Sequence, residues 1–305
     1  MKNRGNEREP DEKQPLGIWW WHTRGIREPV DGVPPGKMLD FLEHFGATDL
    51  FLGMGCRELC SGEGEASRED IRCFLRDCWK RGIRVAALCG MGGPGTDAWL
   101  NPRNQYQPVR ELIDGVREYN RSAAEEERFY GVHLDIEPHT LPDWKERQGL
   151  YLQQTADLAA AMRPLCEEAE LELEYDIGGF LQDAGQVSLP DGRQTDFIEA
   201  MSRSCHTLAV MAYRVTAEGQ MDFGPRQYLP YTERNGCRLL VGCETGDLDP
   251  ENGVPPEVTY RSVGKAAFER EMTRLRRLLK EGGFAGAGVA IHHAYTLYSL
   301  LHEDT

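Results

Sequence analysis

The sequence predicts an α/β fold, a single (β/α)8 barrel of the TIM type. Three observations carry this. Eight short apolar runs, rich in β-branched and aromatic residues and bounded by Gly, Pro or Asp, read as strands. They are Gly17–His22, Asp49–Met54, Val85–Cys89, Tyr130–Glu137, Leu171–Ile177, Thr207–Tyr213, Arg238–Cys243 and Gly286–His292. Helical patterns lie between them, and that alternation implies parallel strands joined by crossover helices. Eight such repeats close on themselves, and a chain of 305 residues suits one domain of this kind.

The helices follow in order. Gly36–Phe45 sets Met38, Leu39, Leu42 and Phe45 at helical spacing. Ser67–Arg81 opens on a capping signal, Ser67 with Asp70 three residues later. Pro108–Asn120 carries its proline where a helix tolerates one. Lys145–Glu168 is long and Ala-rich, Thr195–Arg203 follows the fifth strand, and Ser262–Glu281 is charged and amphipathic. Ala294–His302 is a short last helix. The stretch Gly90-Met91-Gly92-Gly93-Pro94-Gly95 lacks dinucleotide-fingerprint spacing and is read as a flexible loop, which disfavours an open doubly wound sheet. Residues 15–305 contain no linker and form one catalytic domain; residues 1–14 are polar and charged and read as a disordered tail.

Composition narrows the function. Hydrophobic residues make up 40% and charged residues 28%, as in a soluble globular protein. The net charge of −15 disfavours nucleic acid and anionic membranes as partners. No apolar run reaches the roughly 18 residues of a membrane span, and the N-terminus has no apolar signal region. A cytoplasmic location is expected, with secretion left open by a trimmed start. The nine cysteines (56, 60, 73, 78, 89, 166, 205, 237 and 243) are odd in number and read as reduced thiols. The spacings of Cys56/Cys60 and Cys73/Cys78 are too loose for a structural zinc site. No cofactor motif is present and none is expected. The sequence leaves the oligomeric state open.

The chemistry concentrates in Tyr130–Glu137. In a strand, His133, Asp135 and Glu137 share one face while Leu134 and Ile136 take the other. Close carboxylates push each other's pKa values apart, which makes one a proton donor near neutral pH. Barrel active sites gather at the C-terminal strand ends, and those ends carry Trp19-Trp20-Trp21-His22, Asp135 to His139, Glu174-Tyr175-Asp176, Tyr213-Arg214, Glu244 and His292-His293. Aromatic faces beside carboxylates suit sugars, whose ring faces are apolar and whose hydroxyls are directional. Trp20 and His22 share one strand face, Trp19 and Trp21 the other; Trp20 and Trp21 are candidate stacking platforms.

Tyr130–Glu137 resembles the fourth-strand signature of family 18 glycoside hydrolases, the chitinase group: Asp-Gly-x-Asp-x-Asp-x-Glu. Gly131, Asp135 and Glu137 match, while Tyr130 and His133 stand where the family has Asp. Met211-Ala212-Tyr213-Arg214 is similar to the family's sixth-strand Met-x-Tyr-Asp, with Arg in place of Asp, and His292 aligns with its final-strand Trp. The resemblance implies Glu137 as proton donor, Asp135 as its partner and Tyr213 as a substrate-orienting group. It also implies an acetamido group of the substrate as nucleophile, with altered assistance where carboxylates are replaced. Glu244 ends the seventh strand, a placement similar to the nucleophile of another large glycosidase clan, although Ile136 replaces the Asn that precedes the acid there.

The expected activity is therefore glycosidic-bond cleavage, with Glu137, Asp135 and Glu244 catalytic and Trp20, His22, His133, Asp176, Tyr213, Arg214 and His292 binding a carbohydrate or glycoconjugate. Two alternatives stand beside it. One is a metal-dependent hydrolase, lyase or isomerase drawing ligands from His22, His133, Asp135, Glu137, Asp176, Glu244, His292 and His293. The other is a barrel that binds saccharide without turnover.

Overall fold

A computed structural model of the chain describes residues 14–21, 23–54, 64–247, 256–284 and 286–302. Eight parallel strands close into a barrel: β1 Leu16–Trp20, β2 Asp49–Gly53, β3 Arg84–Gly92, β4 Gly131–Glu137, β5 Glu172–Gly178, β6 Thr207–Met211, β7 Arg238–Glu244 and β8 Gly288–His292. Each pairs with its sequence neighbours, and β8 returns to β1 through Ile18 opposite Ile291. This is the predicted TIM-barrel fold.

The burial pattern follows from the period-2 alternation of strands. Leu16, Ile18, Trp20, Leu50, Leu52, Val132, Leu134 and Ile136 point outward into the large apolar layer beneath the helices. Trp19, Phe51, Ala86, Leu88, Ala209, Leu240 and Ala290 point inward and fill the barrel. Helices Pro35–Phe45, Arg68–Lys80, Gln107–Arg121, Trp144–Glu168, Phe197–Ser204, Lys265–Glu281 and Ala294–His302 match the predicted ones within a few residues. Ser67 caps its helix with the expected reciprocal pair to Asp70.

Four differences have physical causes. Helices Ala217–Asp222 and Pro225–Asn235 link β6 to β7 where the sequence reading found none. Both are short, and the second carries Pro230, which masks the helical signal. A small hairpin, Gln186–Ser188 with Gln194–Asp196, follows β5. The glycine-rich stretch is not all loop: β3 runs on to Gly92 and pairs Gly90 with Asp135 and Gly92 with Glu137. Gly residues lower strand propensity, yet cross-strand pairing to β4 holds them. Finally, Gln14 is tied to the barrel by its amide, which donates to the Arg276 carbonyl at 3.1 Å. The rest of the expected tail lies outside the described residues, as do Cys56 and Cys60. The other seven cysteines are free thiols. Among the described residues no helix is long and apolar enough to cross a membrane.

Candidate active site

Inside the barrel, ionisable groups form two tiers with His133 between them. The lower tier closes the N-terminal end. Arg84 reaches Asp49 at 2.6 Å and Glu172 at 3.0 Å, and its guanidinium lies 4.0 Å over the Tyr130 ring. Arg238 reaches Asp49 at 3.1 Å and Glu174 at 2.8 Å, and the Tyr130 hydroxyl donates to Glu174 at 3.0 Å. Burial would push the Glu174 carboxyl up, but the hydrogen bond and charge of His133 and the charge of Arg238 outweigh it and bring it down to about 2.

His133 is fully buried, stacked on Phe51 at 4.0 Å between ring centroids. Its Nδ1 lies 3.0 Å from Glu174 Oε2, and its Nε2 lies 2.8 Å from Asp176 Oδ1. Burial opposes the charged ring, yet Asp176 and Glu174 together push it up to about 10. Asp176 also accepts a 3.0 Å hydrogen bond from the Trp19 indole.

The upper tier is the mouth. Asp135 and Glu137 follow His133 on the inward face of β4. Asp135 Oδ1 is buried with no hydrogen-bond partner among the described residues. Burial, then the charges of Asp176 and Glu137, raise the Asp135 carboxyl well above its ordinary range. Burial and the charge of Asp176 raise Glu137 as well. His139 Nε2 stands 3.6 Å from Glu137 Oε1, but burial brings its ring down to about 4, so it supplies no positive charge at neutral pH. The Tyr213 hydroxyl is raised well above 10 by burial and then by the charges of Glu244, Asp176, Asp135 and Glu137, which puts it in the same field.

One wall of the mouth is a hydrogen-bonded chain. The Trp21 indole donates to His292 Nε2 at 2.6 Å, and His292 Nδ1 lies 2.7 Å from Glu244 Oε2. An indole N–H can only donate, so Nε2 accepts and the ring proton sits on Nδ1, facing Glu244. Glu244 Oε1 accepts from the Thr245 and Gly246 amides at 2.8 and 2.7 Å. Beside Trp21 opens a cavity of about 640 Å3, lined by Trp21, Met54, Cys89, Gly90, Gly92 and Asp135 among others. Glycine is required for this shape. A Cβ on Gly53 would strike the Trp21 carbonyl oxygen at 2.4 Å, and one on Gly92 would crowd Glu137 Oε2 at 3.3 Å.

The geometry brings together Asp135, Glu137, Asp176, Tyr213, His292 and, beneath them, His133. It corrects three expectations. Trp20 is sealed in the outer layer against Phe74 and Tyr295, because it alternates with the inward Trp19 and Trp21, so it offers no stacking face. Arg214 lies 3.6 Å over the Phe223 ring and donates to the Tyr213 carbonyl, which turns it from the acids toward the surface loop. Glu244 is 2% exposed and both its oxygens are engaged by the protein, so it stands as a support for His292 rather than as nucleophile or base. His22 lies outside the described residues.

Sequence reading missed the roles of Trp19 and His139. The inward parity of Trp19 was legible from Trp21, but its bond to Asp176 depends on β1 and β5 facing across the barrel. Of the donors the metal-dependent alternative named, the nitrogens of His133 face carboxylates, and His292 and Glu244 satisfy each other. Among the described residues no group of three or more His, Cys, Asp or Glu side chains is arranged to hold an ion.

Neither the protein-family models nor the curated proteins compared with the chain contain a match. Solved structures do. A GH18 chitinase from Pseudoalteromonas aurantia superposes with TM-score 0.57 at 11% identity over 94% of this chain and 99% of that one. The Ostrinia furnacalis Group IV chitinase gives 0.56 at 12% identity over 96% of both chains. A GH18 chitinase from Cycas revoluta, in complex with (GlcNAc)3, gives 0.54 at 12% identity over 94% and 97%. The chain has the fold of these chitinases, a divergent chitinase-like TIM barrel; identities this low speak to the fold alone.

Proposed function

We propose that the chain is a glycoside hydrolase in which Glu137 protonates the leaving glycosidic oxygen. The observation that carries this reading is the pair Asp135 and Glu137, half-buried at the barrel mouth beside Asp176, with Asp135 lining a Trp-walled cavity. Burial and the charge of Asp176 raise both carboxyls and so favour the protonated form, which is what a general acid needs.

The sugar ring stacks on Trp21, and its hydroxyls meet Tyr213 and Asp135. The Glu137 proton passes to the glycosidic oxygen as the C1–O bond breaks, and Asp176 stabilises the positive charge that develops on the ring. With Glu244 engaged by the protein, an acetamido oxygen of the substrate closes on C1 from the opposite face. Glu137, now a carboxylate, then takes a proton from the water that opens this intermediate. The substrate class is accordingly a saccharide or glycoconjugate with an N-acetylhexosamine at the cleaved bond.

The test is a panel of chromogenic aryl glycosides, N-acetylhexosaminides included, assayed with and without chelator on wild type and Glu137→Gln. Release from N-acetylhexosaminides that resists chelator and vanishes in Glu137→Gln supports the reading. Binding without release, unchanged in Glu137→Gln, replaces it with a saccharide-binding barrel.

A further inference from the structure

We propose that His133 is a permanent imidazolium, a positioning residue that ties Asp176 to the column of charge beneath the proton-donor pair. The close approach of two carboxylates, one to each ring nitrogen, carries this. Each ring nitrogen faces a carboxylate oxygen, Nδ1 toward Glu174 at 3.0 Å and Nε2 toward Asp176 at 2.8 Å. Ionised carboxylates only accept, so both nitrogens must bear protons for both contacts to be favourable. Neither acid is a good candidate for that proton. Glu174 already accepts from Tyr130 and Arg238, and Asp176 accepts from Trp19. Full burial prevents water from substituting for either partner.

The groups facing His133 come from every strand around it. β5 supplies Glu174 and Asp176; β4 supplies Asp135 above, with Tyr130 just below the strand. Beyond Glu174 stand Arg238 of β7, then Asp49 of β2 and Arg84 of β3. Phe51 and Trp19 pack on the ring and carry no charge. From floor to mouth the signs alternate: Arg238 positive, Glu174 negative, His133 positive, Asp176 negative. The alternation stops at Asp176. Above it stand Asp135 and Glu137, whose carboxyls its charge pushes up. His133 thus acts through Asp176 and touches no substrate.

The inference deepens the glycosidase reading and rests on it for its effect on Glu137, but the charge of His133 is measurable without substrate. The experiment is an imidazole 15N titration of the full chain, with His133 assigned through His133→Gln. The expected result is the doubly protonated signature persisting to about pH 9, far above the ordinary histidine midpoint of about 6.5. A neutral tautomer at neutral pH overturns the proposal. If His133→Gln does not fold, Glu174→Gln serves: losing one of two carboxylates must move the midpoint to lower pH, and an unmoved midpoint also overturns it. Where turnover is found, His133→Gln must shift the basic limb of the rate profile, because the charge beneath the acid pair is removed. A limb that stays in place overturns the positioning role. Inertness toward every glycoside removes the glycosidase reading and leaves the 15N result to stand by itself.

Discussion

The two ends of this barrel are built from the same strands and treat charge in opposite ways. At the floor, each described acid meets a cation: Asp49 has Arg84 and Arg238, Glu172 has Arg84, and Glu174 has Arg238 and His133. At the mouth, Asp135 and Glu137 lie beside Asp176, and His139, 3.6 Å from Glu137, is held neutral by burial. The difference separates structure from chemistry. Paired charges lock the closed end, and unbalanced carboxyls at the open end store protons that a reaction can use. Carboxylates fit the floor because their charge is matched; at the mouth burial and neighbouring acids push their pKa values up.

The comparison breaks first at Glu137. Replacing it with Gln should lower turnover on any cleaved glycoside by about 10²–10⁴-fold while circular dichroism is unchanged. Activity near wild type would make the mouth another structural end. Arg238→Met attacks the other side. It leaves Asp49 and Glu174 short of a buried partner and should cost about 3–5 kcal/mol in urea denaturation. A loss under about 1 kcal/mol would reduce the floor to a solvated surface network.

Asp135→Asn should reduce turnover less than Glu137→Gln, because it leaves the proton donor in place. A loss as large as that of Glu137→Gln would make Asp135 an equal partner in the chemistry. Thermal melts against pH sharpen the contrast. Glu137 has a raised carboxyl pKa, so the folded state binds more protons than the unfolded one above the ordinary carboxylate range, and stability falls as pH rises through that window. Glu137→Gln should therefore melt higher than wild type at neutral pH and converge with it in acid. Glu174, depressed to about 2, contributes stability above the unfolded carboxylate pKa that is lost as pH falls toward 2, so Glu174→Gln should melt lower at neutral pH. The smallest effect belongs to Trp20→Phe. It should cost about 1–3 kcal/mol and leave turnover unchanged, since Trp20 packs outside the barrel; a fall in turnover would return Trp20 to the site.

Local signals decided much of this. Eight runs of strand-like residues with helices between them specify a closed parallel barrel, because crossover handedness and burial leave few other arrangements. Period-2 alternation put His133, Asp135 and Glu137 on one face before any contact was known. The capping pair Ser67 and Asp70 was legible because it is closed within one helical turn.

What the sequence could not contain is who meets whom across the barrel. Trp20 and Trp21 read alike along the chain, yet only closure of the barrel decides that Trp21 faces the cavity and Trp20 the helices. Glu244 resembled a nucleophile until His292, one strand away, and two loop amides took its oxygens. The charge of His133 depends on Glu174 and Asp176, more than forty positions along the chain, and on the burial that keeps water from replacing them. The sequence by itself determined the fold and the acid-bearing face of β4, since both follow from short-range pattern. Tertiary structure alone decided which acids are neutralised and which keep a proton, because electrostatic balance in a dry interior is set by distance in space.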